Sequence, residues 1–248
     1  MIATRAHHGR RFAISGGTSG IGLACARRLL DEGAEVWVTG TSSDSTGRAR
    51  RELPALAGAS VCDVADEESV AQAFAAIADS FGRLDGAFVN AGIDGKGTEV
   101  PAIEVAHLRR VIDVNVVGAF LFARGALALM DGGASIVFNA SINATRPEAG
   151  FADYNLSKAA VASLAQTMAL ELAPRRIAVT GVCAGYIRTP MTAGYLDNPE
   201  TSGELLEQIP AGRFGKPEEV AGLVSFLLDP ESAYMTGSLA TIDGGRSV

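Results

Sequence analysis

Short apolar runs alternate with stretches of helical period along almost the whole chain, and this alternation limits the possible folds more than any other feature. Residues 11–15, 35–39, 60–62, 86–89, 135–139, 177–182 and 238–242 read as strands. Between them the periodicity predicts helices over 20–32, 44–53, 67–81, 103–130, 151–173 and 217–228. In the third helix Val70, Phe74, Ile77 and Phe81 form one stripe, and Pro217 suits the first turn of the last. A strand joined through a helix to the next strand builds a parallel sheet with helices on its faces. Repetition of that unit predicts an α/β chain: a single doubly wound domain, with a mainly parallel seven-stranded sheet and helices on both faces. No repeat or linker interrupts it, so residues 1–248 are expected to form one domain. Within it, 1–10 reads as a flexible polar lead-in, and 184–213 as an irregular segment containing Gly194, Pro199 and Gly203.

Composition narrows the function classes. A net charge of -7 with a pI of about 5.0 gives no broad electrostatic footprint for nucleic acid. A bound anion must then be held locally, by backbone amides and helix ends. Cys25, Cys62 and Cys183 are far apart, in apolar surroundings and without a CxxC spacing, which reads as reduced, buried thiols of a cytoplasmic protein. No apolar segment follows the basic first eleven residues, so no signal peptide is expected. His7-His8 is read as part of the lead-in, and no metal site is expected. Val111 to Met130 is apolar, but Asp113, Asn115 and Arg124 interrupt it; it reads as a buried helix, not a membrane span.

The first strand runs into Ser15-Gly16-Gly17-Thr18-Ser19-Gly20-Ile21-Gly22 and then a helix. Gly16, Gly20 and Gly22 sit where the turn must be tight and a ligand must approach the backbone. A helix start with free amides and partial positive charge suits a pyrophosphate. About twenty residues on, a dinucleotide site that prefers NAD usually offers an acid to the ribose. Here the segment is Thr39-Gly40-Thr41-Ser42-Ser43, with no carboxylate. Thr41 and Ser42 could donate to a 2′-phosphate, and Arg48 is the nearest basic residue. The reading leans to NADP, with NAD the alternative.

A second constellation lies in Tyr154-Asn155-Leu156-Ser157-Lys158. The spacing of one helical turn puts the phenol and the ammonium on one face. The chain has only three lysines (Lys96, Lys158, Lys216) against 18 arginines. A cation close to a phenol favours its anion, so the pair can serve as an acid/base near neutral pH; a surface pair is the structural alternative.

With these motifs in order, the chain resembles the short-chain dehydrogenase/reductase family from about Arg11 to Gly245. Asp63-Val64, Asn90-Ala91-Gly92, Asn115, Ser141, Gly185 with Thr189-Pro190-Met191, Met235-Thr236-Gly237 and Asp243-Gly244-Gly245 match further family motifs. Ala184 stands where the family usually has proline. The resemblance implies a Rossmann fold and hydride transfer between a nicotinamide cofactor and a carbonyl or secondary alcohol. It implies Tyr154 as acid/base, Lys158 lowering the phenol's pKa and holding the ribose, Ser141 binding the substrate oxygen and Asn115 holding a water for proton relay. Cofactor contacts are expected from Gly16, Thr18, Ser19, Gly20, Ile21, Gly22, Thr41, Ser42, Asp63, Val64, Asn90, Ala91, Gly92, Tyr154, Lys158, Gly185, Ile187 and Thr189. Asp94, Asn143, Tyr186, Met191 and Tyr195 are candidates for a small substrate of polar or mixed polarity, with 184–213 as a lid. A homotetramer, or a homodimer, is the expected assembly. An epimerase working through a transient ketone and a non-catalytic nucleotide binder are the alternatives.

Overall fold

The computed structural model describes residues 6–248, so the first five residues of the lead-in lie outside the described part. Seven strands form: β1 (Arg11–Ile14), β2 (Glu35–Gly40), β3 (Gly58–Val61), β4 (Leu84–Val89), β5 (Met130–Asn139), β6 (Ala178–Ala184) and β7 (Leu239–Ile242). All pair in parallel, in the order β3-β2-β1-β4-β5-β6-β7. The order reverses between β1 and β4, so a crevice opens at the carboxyl ends of those strands, where α/β sheets bind ligands.

The pleat sorts side chains to two faces. Ala13, Ala87, Val89, Ile136 and Phe138 point to one face. They pack there against α3 (Glu67–Phe81), α5 (Gly118–Leu127) and α6 (Ala152–Leu172), through Phe74, Phe122 and Val161. Phe12, Ile14, Phe88 and Val137 point to the other, against α1 (Gly20–Asp31), α2 (Ser43–Glu52) and α9 (Pro217–Leu228), through Leu29, Ala49 and Val224. Both faces are buried, which explains why the strands read as continuous apolar runs.

The structure departs from the sequence reading in three places. The helix expected over 103–130 is α4 (Val105–Ile112), a π-helical turn at Asp113–Val117 and then α5. It stops at Leu127, and Met130 already pairs with Leu84 as the first residue of β5. Ala126-Leu127-Ala128-Leu129-Met130 is uniformly apolar, and such a run carries no period to separate helix from strand. The segment 184–213 is partly regular: α7 (Ala193–Leu196) and α8 (Pro199–Glu207) gather Leu196, Leu205, Ile209 and Phe214 into a small core of their own. Lastly, the described part of the lead-in is tied down. His7 is fully buried and its ring meets Ser225, while Arg10 donates to the Leu228 carbonyl. Among the described residues, no helix is long and apolar enough to cross a membrane.

Candidate active site

The turn after β1 is shaped by glycine. Gly16 and Gly20 have φ of +61° and +51°, in the left-handed region that side chains avoid. A Cβ on Gly22 would stand 2.3 Å from the Gly16 carbonyl oxygen, so the helix could not seat against the turn. Ser19, the N-cap of α1, makes no capping bond, which leaves the first amides of the helix for a ligand. Behind the turn, the Ser15 hydroxyl accepts from the amides of Asn90 (2.8 Å) and Ala91 (3.0 Å). Asn90 Nδ2 donates to the carbonyls of Ser15 and Gly16, and Asn139 Nδ2 donates to Asn90 Oδ1 at 2.9 Å. The ends of β1, β4 and β5 are thereby bolted together. A backbone cradle without side chains, at an uncapped helix start, fits a dinucleotide pyrophosphate.

A cleft of about 440 Å³ opens over this turn. Of the expected cofactor residues, Gly16, Thr18, Ser19, Gly20, Ile21, Thr41, Asp63, Val64, Asn90, Ala91, Gly92, Tyr154, Lys158, Gly185, Ile187 and Thr189 line it. Gly22 and Ser42 do not. Gly22 is buried inside α1, and the Ser42 hydroxyl caps α2 by accepting from the Ser45 amide. Asp63 accepts from the Ala65 amide and pairs with Arg110 at 3.5 Å. Arg110 also lines the cleft and carried no sequence signal beyond being one helix charge among many.

Across the cleft, α6 presents the tyrosine and the lysine one turn apart. The Tyr154 amide donates to Asp153 Oδ1 (2.8 Å) and its carbonyl accepts from the Ser157 hydroxyl (2.8 Å). Lys158 is only 5% exposed; its Nζ donates to the Asn139 carbonyl at 2.8 Å and lies 5.5 Å from the centre of the Tyr154 ring. Burial pulls the lysine down to about 8, with Asp94 and Cys183 opposing. For the phenol the structure corrects one expectation. Burial, then the Asp94 carboxylate, push Tyr154 well above its ordinary value, and only a Ser141 hydrogen bond pulls the other way. Loss of water around the phenolate is the leading cause.

Ser141 follows β5 and caps a short 3₁₀ turn, Ile142–Ala144. Its hydroxyl accepts from the Asn143 amide (3.1 Å) and donates to Asn143 Oδ1 (3.3 Å), while Asn143 Nδ2 donates to Asn155 Oδ1. Asn115, 2% exposed, stands behind the cleft on the π turn. Its Oδ1 accepts from the Ile93 amide, and its Nδ2 donates to the Ile93 carbonyl and the Ser157 hydroxyl. The amide is thus spent on protein partners. Such one-turn π insertions are frequent at functional sites.

Asp94, Asn143, Tyr186, Met191 and Tyr195 all line the cleft. The Tyr195 hydroxyl donates to Asp94 Oδ2 at 3.4 Å, and the Tyr186 hydroxyl donates to Glu148 Oε1 at 2.5 Å. Glu148 and Asn139 are lining residues that sequence reasoning missed. Glu148 is the only acid between Ser141 and Asp153, and Asn139 is the one polar residue closing an apolar run. Gly185 is pressed against the end of β7, where a Cβ would stand 2.7 Å from the Asp243 Cβ.

The family model described as "Enoyl-(Acyl carrier protein) reductase" matches residues 16–247. A 3-oxoacyl-[acyl-carrier-protein] reductase FabG of Thermotoga maritima is 36% identical over 242 residues, covering 96% of this chain and 97% of that protein. Levodione reductase of Leifsonia aquatica is 32% identical over 247 residues, covering 94% and 92%. A crystal structure of 3-ketoacyl-(acyl-carrier-protein) reductase from Brucella melitensis complexed with NADH superposes with a TM-score of 0.88 at 30% identity, covering 97% and 99%. The chain belongs to the short-chain dehydrogenase/reductase family. It is an oxidoreductase that uses a nicotinamide cofactor on small molecules.

Proposed function

We propose that the chain is a carbonyl reductase or secondary-alcohol dehydrogenase for a small substrate of polar or mixed polarity, with Tyr154, Lys158, Ser141 and Asn115 as its working set. One observation carries this reading: the Tyr154 phenol, the Ser141 hydroxyl and the buried Lys158 ammonium converge on one cleft that also holds the glycine turn. The glycine turn, Asp63-Val64, Asn90-Ala91-Gly92 and the Gly185–Thr189 strand end would hold the dinucleotide, which supplies or accepts the hydride when bound.

The remaining work falls to the protein. During reduction the substrate oxygen gains negative charge. Ser141 donates to it, in the manner of a one-donor oxyanion hole. Tyr154 delivers the proton; with its pKa raised, the phenol holds that proton until the substrate oxygen gains charge. Lys158, anchored on the Asn139 carbonyl, holds positive charge beside the phenol and would hold the cofactor's ribose. Asn115 braces Ile93 and Ser157 beside that lysine. At the ribose end the absence of a carboxylate at Gly40-Thr41-Ser42 supports NADP over NAD. Exposed Val117, Phe120, Leu156 and Leu170 on α5, α6 and the π turn support a homo-oligomer, a homotetramer in this reading.

Tyr154→Phe removes the transferred proton and leaves the fold. Turnover should fall by at least about 100-fold, with cofactor binding kept, as read by quenching of protein fluorescence. Near-normal turnover in that variant would end the assignment.

A further inference from the structure

The cleft holds a carboxylate that the proton-transfer chemistry does not use. Asp94 is half-buried, five residues beyond the end of β4, and borders the phenol of Tyr154. Its partners among the described residues are the Gly95 amide at 2.9 Å on Oδ1 and the Tyr195 hydroxyl at 3.4 Å on Oδ2. Among the described residues no arginine or lysine forms a salt bridge with it, although the Lys158 ammonium acts on it through space. Each oxygen of an ionised carboxylate accepts about two hydrogen bonds, so each keeps free capacity facing the cleft. Tyr195 comes from α7, whose small core with Leu205 and Ile209 sets the phenol over Asp94. Opposite, Glu148 Oε1 is taken by the Tyr186 hydroxyl.

Three kinds of substrate would meet this wall differently. An anionic group would face an unpaired carboxylate. A purely apolar flank would take water from Asp94 and return no hydrogen bond, which a buried charged acceptor tolerates badly. A cation would be drawn by Asp94 and Glu148 but opposed by the Lys158 ammonium, which lines the same cleft. A neutral hydroxyl donates a hydrogen bond and adds no charge.

Resting on the carbonyl reductase reading above, we propose that Asp94 is the specificity-determining residue of the cleft, selecting neutral substrates that carry a hydroxyl beside the reacting carbon (α-hydroxy ketones and the vicinal diols that correspond to them). It acts by accepting the substrate hydroxyl while Tyr195 holds the carboxylate in place. Burial, which raises Asp94 above its ordinary value, fits a group kept from water and short of donors.

The test is kcat/KM on matched ketones with NADPH and NADH. The open-chain set is 1-hydroxybutan-2-one, pentan-3-one and 2-oxobutanoate; the ring set is 2-hydroxycyclohexanone and 2-methylcyclohexanone. The hydroxy ketone of each set should lead its deoxy partner by roughly ten- to a hundred-fold, the value of one hydrogen bond to a charged group, and 2-oxobutanoate should be poorest. Asp94→Ala should bring the hydroxy/deoxy ratio to within about threefold. Asp94→Asn, which keeps the shape and removes the charge, should improve 2-oxobutanoate relative to pentan-3-one. Cofactor quenching and thermal unfolding show whether each variant is folded. Turnover of all ketones without hydroxyl preference, or an unchanged ratio in Asp94→Ala, overturns the role of Asp94 and leaves the oxidoreductase reading standing. No turnover of any ketone by folded, cofactor-binding wild type overturns both.

Discussion

Lys158 shows best how a residue can work against the stability of its own fold. An unfolded chain holds this ammonium with its ordinary value of 10.5, whereas burial in the fold lowers it to about 8. Between those values the unfolded state binds more protons, so stability rises with pH across that window; below about 8 the whole penalty is present. Its size is on the order of 3 kcal/mol. Lys158→Met keeps most of the stem and removes the charge. It should melt above wild type at pH 7, with the gap closing between about pH 8 and 10.5, while turnover falls about 100-fold. Thermal unfolding and rate assays on the same samples check both. In wild type, kcat/KM for carbonyl reduction should decline as pH rises through about 8. Tyr154 and Lys158 were legible because one turn of helix joins them. Asp94 with Tyr195 and Glu148 with Tyr186 were not legible as pairs, because they meet only through the return of the chain over the sheet, 101 and 38 residues apart.

At the scale of elements, alternation revealed seven strands because each contains a short apolar run, though it missed the first half of β5, where Met130-Asp131-Gly132-Gly133 shows no such run. It did not reveal the π turn at Asp113–Val117, since the run from Val114 to Leu121 is apolar on nearly every side and hides the shift in face that an extra residue makes. The β2–α2 junction shows the same limit at the cofactor end. Thr41 and Ser42 read as two phosphate donors, yet Ser42 is spent on capping α2 with Ser45. What α2 offers in exchange is its own helix start, with partial positive charge, set against Asp44 in its first turn. The junction still lacks a carboxylate facing the ribose, and kcat/KM should favour NADPH over NADH by about tenfold or more, a coupling of roughly 1.4 kcal/mol. Rates at equal, low concentrations of each cofactor measure this; a clear preference for NADH would reverse the assignment.

Over the whole molecule, the start of the described chain is a strut. His7 Nδ1 accepts from Arg10 Nη1 at 3.1 Å, and Nε2 faces the Ser225 carbonyl at 3.1 Å, so the ring is neutral with its proton on Nε2. Burial, then Arg10, lower its pKa against the opposing pull of Ser225, Glu32 and Asp229. The unfolded chain therefore takes up this proton first, and the fold loses stability as pH falls below about 6.5, by up to about 1.4 kcal/mol per pH unit. Urea unfolding at pH 7.5, 6 and 5 should show that loss in wild type and a flatter profile in His7→Gln.

The place of β1 also bears on how a growing chain matures. Phe12 pairs on one side with Val36 and on the other with Gly86. β1, an interior strand of the sheet, is thus made before β4, the partner on its other side, and must wait for it. Asn90, whose amide group steadies the Ser15 and Gly16 carbonyls, emerges later still. Until then the glycine turn has its sequence but lacks its brace. A nascent chain halted before Asn90 would carry the turn's residues without the support that holds them in place.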